Sequence, residues 1–321
     1  MTAFAAEKPL KKLATTTGDF ARYYKDDEDR IRAMHRAGFR FVDLSLYNMT
    51  NYDHPYMQNG WETRILRLGA LAASLGMEFV QSHAPNCNPL CFDENWETQV
   101  AVTARALEIC GLLGIPCSVF HTGWNMDIRY TVPGDRERYY EGNMTFIRRL
   151  IPIMERTGVM LLIENSTHAN MGDRYYFYTG QDMKDFLSYA AHPLLGACWD
   201  TGHANIEGHQ YADITALGDD LRAIHFNDNR GEHDEHIMPY MGTMSVDEVM
   251  CALRDIDFGG AFTFECDSSL RPAQYWLGNR RPWNETAADE ADLATKEAME
   301  RALYLCGESI LTRYGYSVRR G

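Results

Sequence analysis

The chain has 321 residues, 45% of them hydrophobic and 24% charged, with a formal net charge of −14. This is an ordinary globular composition, and no apolar run approaches the ~20 residues that cross a bilayer. The acidic balance opposes a broad phosphate-backbone footprint, so nucleic acid is not an expected partner. The opening MTAFAAEKPLKK has no basic segment followed by a long apolar stretch, which predicts no secretory signal. Eight cysteines are scattered, mostly in apolar segments, with only Cys87 and Cys91 close together. That pattern predicts free thiols in a reducing cytoplasm; a metal clip at Cys87 and Cys91 is a minor alternative, lacking a second pair at zinc-finger spacing.

Short apolar runs alternate with amphipathic ones along the chain. Leu13–Thr17 reads as strand one, Asp26–Ala37 as a helix with an acidic first turn, and Phe39–Leu46 as strand two. A polar, aromatic loop leads to helix Trp61–Leu75 and strand three, Met77–His83. Helix Trp96–Leu113 precedes strand four, Pro116–His121; helix Arg136–Arg156 precedes strand five, Val159–Glu164. Helix Gln181–Ala190 and strand six, Leu194–Asp200, follow, then a short helix near Ala212–Leu217 and strand seven, Leu221–Phe226. Helix Ser245–Ile256, strand eight at Gly260–Glu265 and a closing helix over Ala288–Arg313 complete the chain. The glycines Gly38, Gly76, Gly114 and Gly158 read as helix C-caps.

Alternating βα units require a parallel sheet with helices on its faces. Eight of them in one chain of this length predict a single-domain (β/α)8 TIM barrel over residues 1–321, of the α/β class. An open doubly wound sheet is the competitor, but GDF at Gly18–Phe20 is not a GxGxxG turn and no Walker A motif is present.

In such a barrel the active site lies at the C-terminal ends of the strands. Strands three to eight end in or carry His83, His121, Glu164, Asp200, His225 and Glu265. Any one of these could be a solvated strand end or a helix cap. Six in consecutive strands imply a bound cation or ligand, because buried carboxylates without partners are costly. Glu164, Asp200, His225 and Glu265 form a mixed oxygen and nitrogen set suited to one divalent ion, Mn²⁺, Co²⁺, Zn²⁺ or Mg²⁺. Cys266 should point away from that set, because successive strand residues face opposite sides. Asp43 in strand two has an open facing. After strand seven, HFNDNRGEHDEH offers Asp228, Arg230, His233, Asp234 and His236; in an extended loop Asp234 and His236 would share a side. That loop could hold substrate, hold a second metal or simply be solvated.

The ordered segments SHAP (Ser82–Pro85), VFHTG (Val119–Gly123), LIENS (Leu162–Ser166), WDTGHAN (Trp199–Asn205), IHFNDNRG (Ile224–Gly231), DEH (Asp234–His236) and FTFE (Phe262–Glu265) span most of the barrel. Together they resemble the xylose-isomerase-like superfamily, which includes sugar isomerases and epimerases and the endonuclease IV group. The resemblance to ketose 3-epimerases implies one metal ion, Mn²⁺ first, on Glu164, Asp200, His225 and Glu265. It makes Glu164 and Glu265 the acid/base pair and His203 and Arg230 substrate-holding residues, with His83 and His121 also facing substrate. The endonuclease IV pattern implies instead several zinc ions on His83, His121, Glu164, Asp200, His203, His225, Asp234, His236 and Glu265. Gly202, where that group has Cys, and NDNRG, where it has NDSK, tilt the resemblance toward the sugar enzymes.

The function so implied is epimerisation or isomerisation of a keto sugar through a metal-stabilised enediolate, with one glutamate removing the α-proton and the other returning one. A sugar dehydratase or lyase shares that enolate, and an abasic-site nuclease is the more distant alternative. Trp61, Trp124 and Phe226 are candidates to pack on the sugar's apolar face, and Arg230, Arg271, Arg280 and Arg281 could form an anion site. A homo-oligomer is compatible with the pattern.

Overall fold

Alternation along each strand sorts the side chains into two layers. The computed structural model describes residues 9–208, 210–270 and 291–319. Eight strands line the barrel: β1 (Leu13–Thr16), β2 (Phe41–Ser45), β3 (Glu78–His83), β4 (Cys117–Phe120), β5 (Met160–Glu164), β6 (Leu195–Asp200), β7 (Leu221–His225) and β8 (Phe262–Phe264). Val42, Leu44, Phe120, Leu161, Ile163, Trp199, Ile224, Phe262 and Phe264 join the large core shared with the helices. Their neighbours Val119, Leu162, Cys198 and Ala223 pack with Cys117 in a separate small cluster. With a period of two, the residues on that inner side end at Glu164, Asp200, His225 and Glu265. The inner cluster is small and apolar, so it closes the barrel beneath a polar mouth.

The sheet order is β7-β6-β5-β4-β3-β2-β1-β8, and every pairing is parallel. Closure between β7 and β8 rests on a single bridge, Phe226 to Phe264, with Phe226 N–H donating to Thr263 O at 2.7 Å. Around this run α1 (Asp27–Ala37), α2 (Trp61–Ser74), α3 (Trp96–Leu113), α4 (Asp135–Thr157), α5 (Gly180–Ala190), α6 (Tyr211–Leu217), α7 (Val246–Asp255) and α8 (Leu293–Arg313). The expected TIM barrel is therefore present. Gly38 and Gly158 end α1 and α4 with φ of 113° and 70°, where a side chain would be strained.

Several details differ from expectation. Strand two is shorter than Phe39–Leu46 at both ends, because Phe39 N–H bonds back to Met34 O and so belongs to the helix exit. A two-residue pairing, Leu10–Lys11 with Ser317–Val318, ties the two ends of the chain together. A seven-residue helix, Thr201–Glu207, starts directly at the end of β6. The closing helix begins at Leu293; residues 288–290, Arg271, Arg280 and Arg281 lie outside the described residues. Among the described residues no helix is long and apolar enough to cross a membrane. All eight cysteines are free. Cys87 and Cys91 do not form a clip: the Cys87 thiol faces Thr103, and Cys91 faces Asp93.

Candidate active site

Each strand end delivers its side chain to the same mouth. Ligand-competent atoms of Glu164, Asp200, His225 and Glu265 lie within 4.8 Å of one another. His225 Nδ1 is 2.6 Å from Glu164 Oε1 and 3.2 Å from Glu265 Oε2. On the far side of Glu164, His121 Nε2 is 2.8 Å from Oε2 and His83 Nε2 is 3.8 Å from it. His83 Nδ1 faces its neighbour's carbonyl, Ala84 O, at 2.8 Å and donates to it, so its Nε2 carries a lone pair toward the mouth.

Asp200 is fixed by its surroundings. It caps the helix Thr201–Glu207, Oδ1 accepting from His203 N–H at 2.7 Å. Its Oδ2 accepts from Asn227 Nδ2 at 2.7 Å. Asn165 brackets its backbone, accepting from Asp200 N–H at 2.6 Å and donating to Asp200 O at 3.0 Å. Asn227 can reach Asp200 only because residue 202 is glycine: a Cβ there would sit 1.8 Å from Asn227 Oδ1. The residue that tilts the sequence resemblance thus has a packing role beside Asp200.

A second cluster adjoins the first. His203 donates from Nδ1 to Asn165 O at 2.9 Å, and its Nε2 faces Asp234 Oδ2 at 3.0 Å. His236 Nε2 is 3.0 Å from Asp234 Oδ1, and its Nδ1 faces Glu265 O at 3.1 Å. Asp234 and His236 do face one space, but not from an extended loop: His236 has φ of 47°.

The charges balance unevenly. Burial disfavours charge on His203, yet Asp200 and Asp234 outweigh it and raise its pKa to about 10. Burial pushes Glu265 up to about 7 against the pull of His225 and His236, with Glu164 and Asp200 adding to the rise. Glu164 is held well below the usual carboxylate range; burial works against this, but His225 and His121 prevail. Burial and His121 lower His83 to about 4, leaving it neutral at pH 7. The two glutamates therefore differ in proton affinity although both face His225 Nδ1.

The donor set fits a divalent cation. Glu164 Oε2 is buried and has no aligned hydrogen bond despite the nearby His121 nitrogen, and Asp234 Oδ1 is in the same position beside His236. Buried carboxylate oxygens crowded against imidazoles without hydrogen-bond alignment suit a shared cation. Two Glu, one Asp and one His suit Mn²⁺, Co²⁺, Zn²⁺ or Mg²⁺. Cys198 lies within the same 4.8 Å reach of Glu164 and His225, from below. Burial pushes its thiol up to about 12, so without a cation it stays protonated. Cys266 points away, toward Phe226 O and Ile237 O.

Above these groups opens a cavity of about 950 Å³, its walls including His83, His121, Glu164, His203, Asp234 and Glu265. Arg230 does not line it: its guanidinium is about half exposed and pairs with Glu235. Arg22, from the turn after β1, lines it. Asp228 is a loop organiser, accepting from the N–H groups of Asn229, Tyr240, Gly242 and Met244. Trp61 lies under Arg105, Trp124 under Arg174, and Phe226 is buried in the core. The cavity's aromatic walls are Tyr47 and Tyr175. Tyr47, Arg22, Asn165 and Asn227 escaped the sequence reading. Each lies within a few residues of a strand end, which is the one signal that marks them.

Residues 31–297 match the family model of the xylose isomerase-like TIM barrel. The chain is 26% identical over 270 residues to an L-ribulose 3-epimerase from Methylomonas sp. (strain DH-1), covering 81% of this chain and 85% of the relative. It is 29% identical over 197 residues to a probable endonuclease 4 from Methanoculleus marisnigri, covering 54% of this chain and 66% of that one. An uncharacterized Sinorhizobium fredii protein is matched over 54% of its length. Among solved structures, a D-psicose 3-epimerase from Clostridium cellulolyticum H10 superposes with a TM-score of 0.70 at 19% identity, covering 94% of this chain and 99% of that one. The chain belongs to the xylose isomerase-like TIM barrel family.

Proposed function

We propose that this protein is a divalent-metal-dependent epimerase or isomerase of a keto sugar. The observation that carries the reading is the pair Glu164 and Glu265, brought from the ends of β5 and β8 to 2.6 Å and 3.2 Å from His225 Nδ1, both lining a cavity of about 950 Å³. The similarity to an L-ribulose 3-epimerase over most of both chains supports it.

Glu164, Asp200, His225 and Glu265 would hold the ion. When bound, a divalent ion supplies Lewis-acid polarisation of the carbonyl and neighbouring hydroxyl oxygens, which acidifies the α-carbon. The residues do the rest. One glutamate takes the proton from the carbon next to the carbonyl, and the other returns a proton to the opposite face or to the adjacent carbon. Without the ion the two differ in proton affinity: Glu265 is pushed up to about 7 and Glu164 is held well below the usual carboxylate range. His203, charged and anchored to Asn165 O and Asp234, would bring positive charge to the cavity wall and hold Asp234, whose Oδ1 has no hydrogen-bond partner, toward a substrate hydroxyl. His83, neutral at pH 7, and His121 beside it line the wall next to Glu164 and would contact further hydroxyls.

A second reading is favoured by one observation: Asp200, His203 and His236 also form a ligand-competent group, as do His83, His121 and Glu164. Three such groups sharing members would suit a multi-zinc phosphodiesterase acting on abasic duplex. The doubly hydrogen-bonded His203 favours the sugar reading, since both its nitrogens already act as donors.

The test is a panel of free and phosphorylated keto sugars incubated in D₂O with Mn²⁺-loaded protein. Deuterium incorporation at the carbon next to the carbonyl, with appearance of the epimer or isomer, is expected for at least one member. No exchange with any member, together with nicking of abasic duplex by the zinc-loaded protein, overturns the sugar reading in favour of the nuclease.

A further inference from the structure

Beneath the four ligand-competent residues runs a buried polar chain that the proposed reaction does not use. Asp43 on β2, Gln81 on β3 and Thr263 on β8 sit inside the barrel, each 0–1% exposed, as is His225 on β7. Thr263 Oγ1 donates to Gln81 Oε1 at 2.9 Å, and Gln81 Nε2 donates to Asp43 Oδ2 at 2.8 Å. Asp43 Oδ2 is also 3.6 Å from His225 Nε2. Two atoms in this group have no hydrogen-bond partner, His225 Nε2 and Asp43 Oδ1. Buried polar atoms at this depth are rarely left unpartnered without a reason.

We infer that Asp43 is a positioning residue for His225, holding its imidazole in the Nε2–H form so that the Nδ1 lone pair faces Glu164, Asp200 and Glu265. The inference rests on the reading that these residues hold a divalent ion. The chain of donors gives it a direction. Turning the Gln81 amide around would aim its oxygen at the Asp43 carboxylate, so the amide must present nitrogen to Asp43 and oxygen to Thr263. Asp43 Oδ2 is then an acceptor, and the same oxygen faces His225 Nε2. An accepting oxygen beside an imidazole nitrogen without a partner selects the tautomer that donates there. The gap of 3.6 Å closes to a hydrogen bond with a shift of several tenths of an ångström. A second partner of this kind commonly orients a metal-binding histidine and raises its basicity.

The experiment measures Mn²⁺ affinity of the metal-stripped full chain by calorimetry, with the visible spectrum of the Co²⁺-loaded protein as a second readout. Asp43→Asn keeps the shape but replaces the carboxylate with a neutral amide, whose oxygen is a weaker acceptor for His225 Nε2–H and whose nitrogen can take the place of the unpartnered Oδ1. A loss of about 10- to 100-fold in Mn²⁺ affinity and a changed Co²⁺ spectrum are expected, with the circular dichroism retained. Thr263→Val is isosteric and frees the Gln81 amide to turn; about a 2- to 10-fold loss is expected, and this variant carries the test if Asp43→Asn fails to fold. In zinc-loaded wild-type protein, ¹⁵N-detected imidazole spectra should show His225 protonated at Nε2. Mn²⁺ affinity within twofold of wild type in a folded Asp43→Asn, or in Thr263→Val where that variant carries the test, with an unchanged Co²⁺ spectrum, overturns the inference. So does a His225 protonated at Nδ1. Wild-type protein that takes up no Mn²⁺ overturns the metal reading itself, a result distinct from a wild type that binds and variants that bind equally well.

Discussion

The barrel has a cavity at each mouth, and both measure about 950 Å³. The N-terminal one is walled mainly by Leu66, Ala70, Ala73, Leu112, Leu113 and Pro116, with Lys12 paired to Glu78 at its edge. The C-terminal one gathers imidazoles and carboxylates from six strands, with Asp200 and His225 beneath it. Size does not separate the two; the direction of the chain does. Parallel strands send all their last residues to one side, and there Asp200 finds the N–H of a starting helix to hold it. At the other side strands begin, and the side chains of α2 and α3 fill the space between them. The two mouths are equal in volume and differ in their convergent titratable groups, and it is these, not room, that single out the C-terminal mouth as the candidate site.

The largest break in this contrast should come from the two glutamates. Glu164→Gln and Glu265→Gln, assayed at saturating Mn²⁺, are each expected to lower turnover by at least about 10²- to 10⁴-fold while the thermal midpoint stays near that of wild type. Wild-type-like turnover in either variant removes it from the acid/base pair.

Next in size is Gly202→Ala. Its Cβ would overlap Asn227 Oδ1, so Asn227 must leave Asp200 Oδ2. About 1–3 kcal/mol of stability is expected to go, measured by urea unfolding, with a fall of about 10- to 100-fold in turnover. An unchanged midpoint and unchanged turnover would show that Asn227 does not orient Asp200.

A smaller effect concerns pH. In the metal-free protein His203 is raised to about 10 from an ordinary 6.5, and Glu265 to about 7 from 4.5. For a group raised on folding, the stability it contributes is complete below the unfolded value and is lost as pH rises through the folded one. The metal-free thermal midpoint is therefore expected to fall between about pH 5 and pH 9. Mn²⁺ binds the ionised carboxylates, so it should raise the midpoint more at about pH 8 than at about pH 5. A metal-independent pH profile would contradict the placement of Glu265 among the ligands. Least of all is expected from the other mouth. Leu112→Ser, partly exposed there, should change stability by no more than about 0.5 kcal/mol and leave turnover unaltered.

Much of the barrel was legible because a period of two is easy to read. Ile163–Glu164, Trp199–Asp200 and Phe264–Glu265 each place an outward apolar residue before an inward acidic one, and the structure brings those three carboxylates together. Loops have no such period. Arg230 turned outward to Glu235, and Trp61 and Trp124 found arginines elsewhere, because nothing local in the sequence fixes those side chains. The buried chain under His225 was hidden for another reason. Gln81 and Thr263 are 182 residues apart, and only closure of the barrel makes them neighbours. Asp43 stood out as a charge inside an apolar strand, and alternation turns it inward between Val42 and Leu44, but Gln81 comes opposite it only through a register shift in which β3 carries the extra residue Val80.

The most direct test of the C-terminal mouth as a one-metal sugar site is a count of divalent ions per chain after Mn²⁺ loading and removal of loosely bound ions. One ion per wild-type chain is expected, with none in His225→Ala, and turnover that disappears on exhaustive chelation and returns with Mn²⁺. Full turnover after chelation, or a stable load of two or three zinc ions, would contradict it.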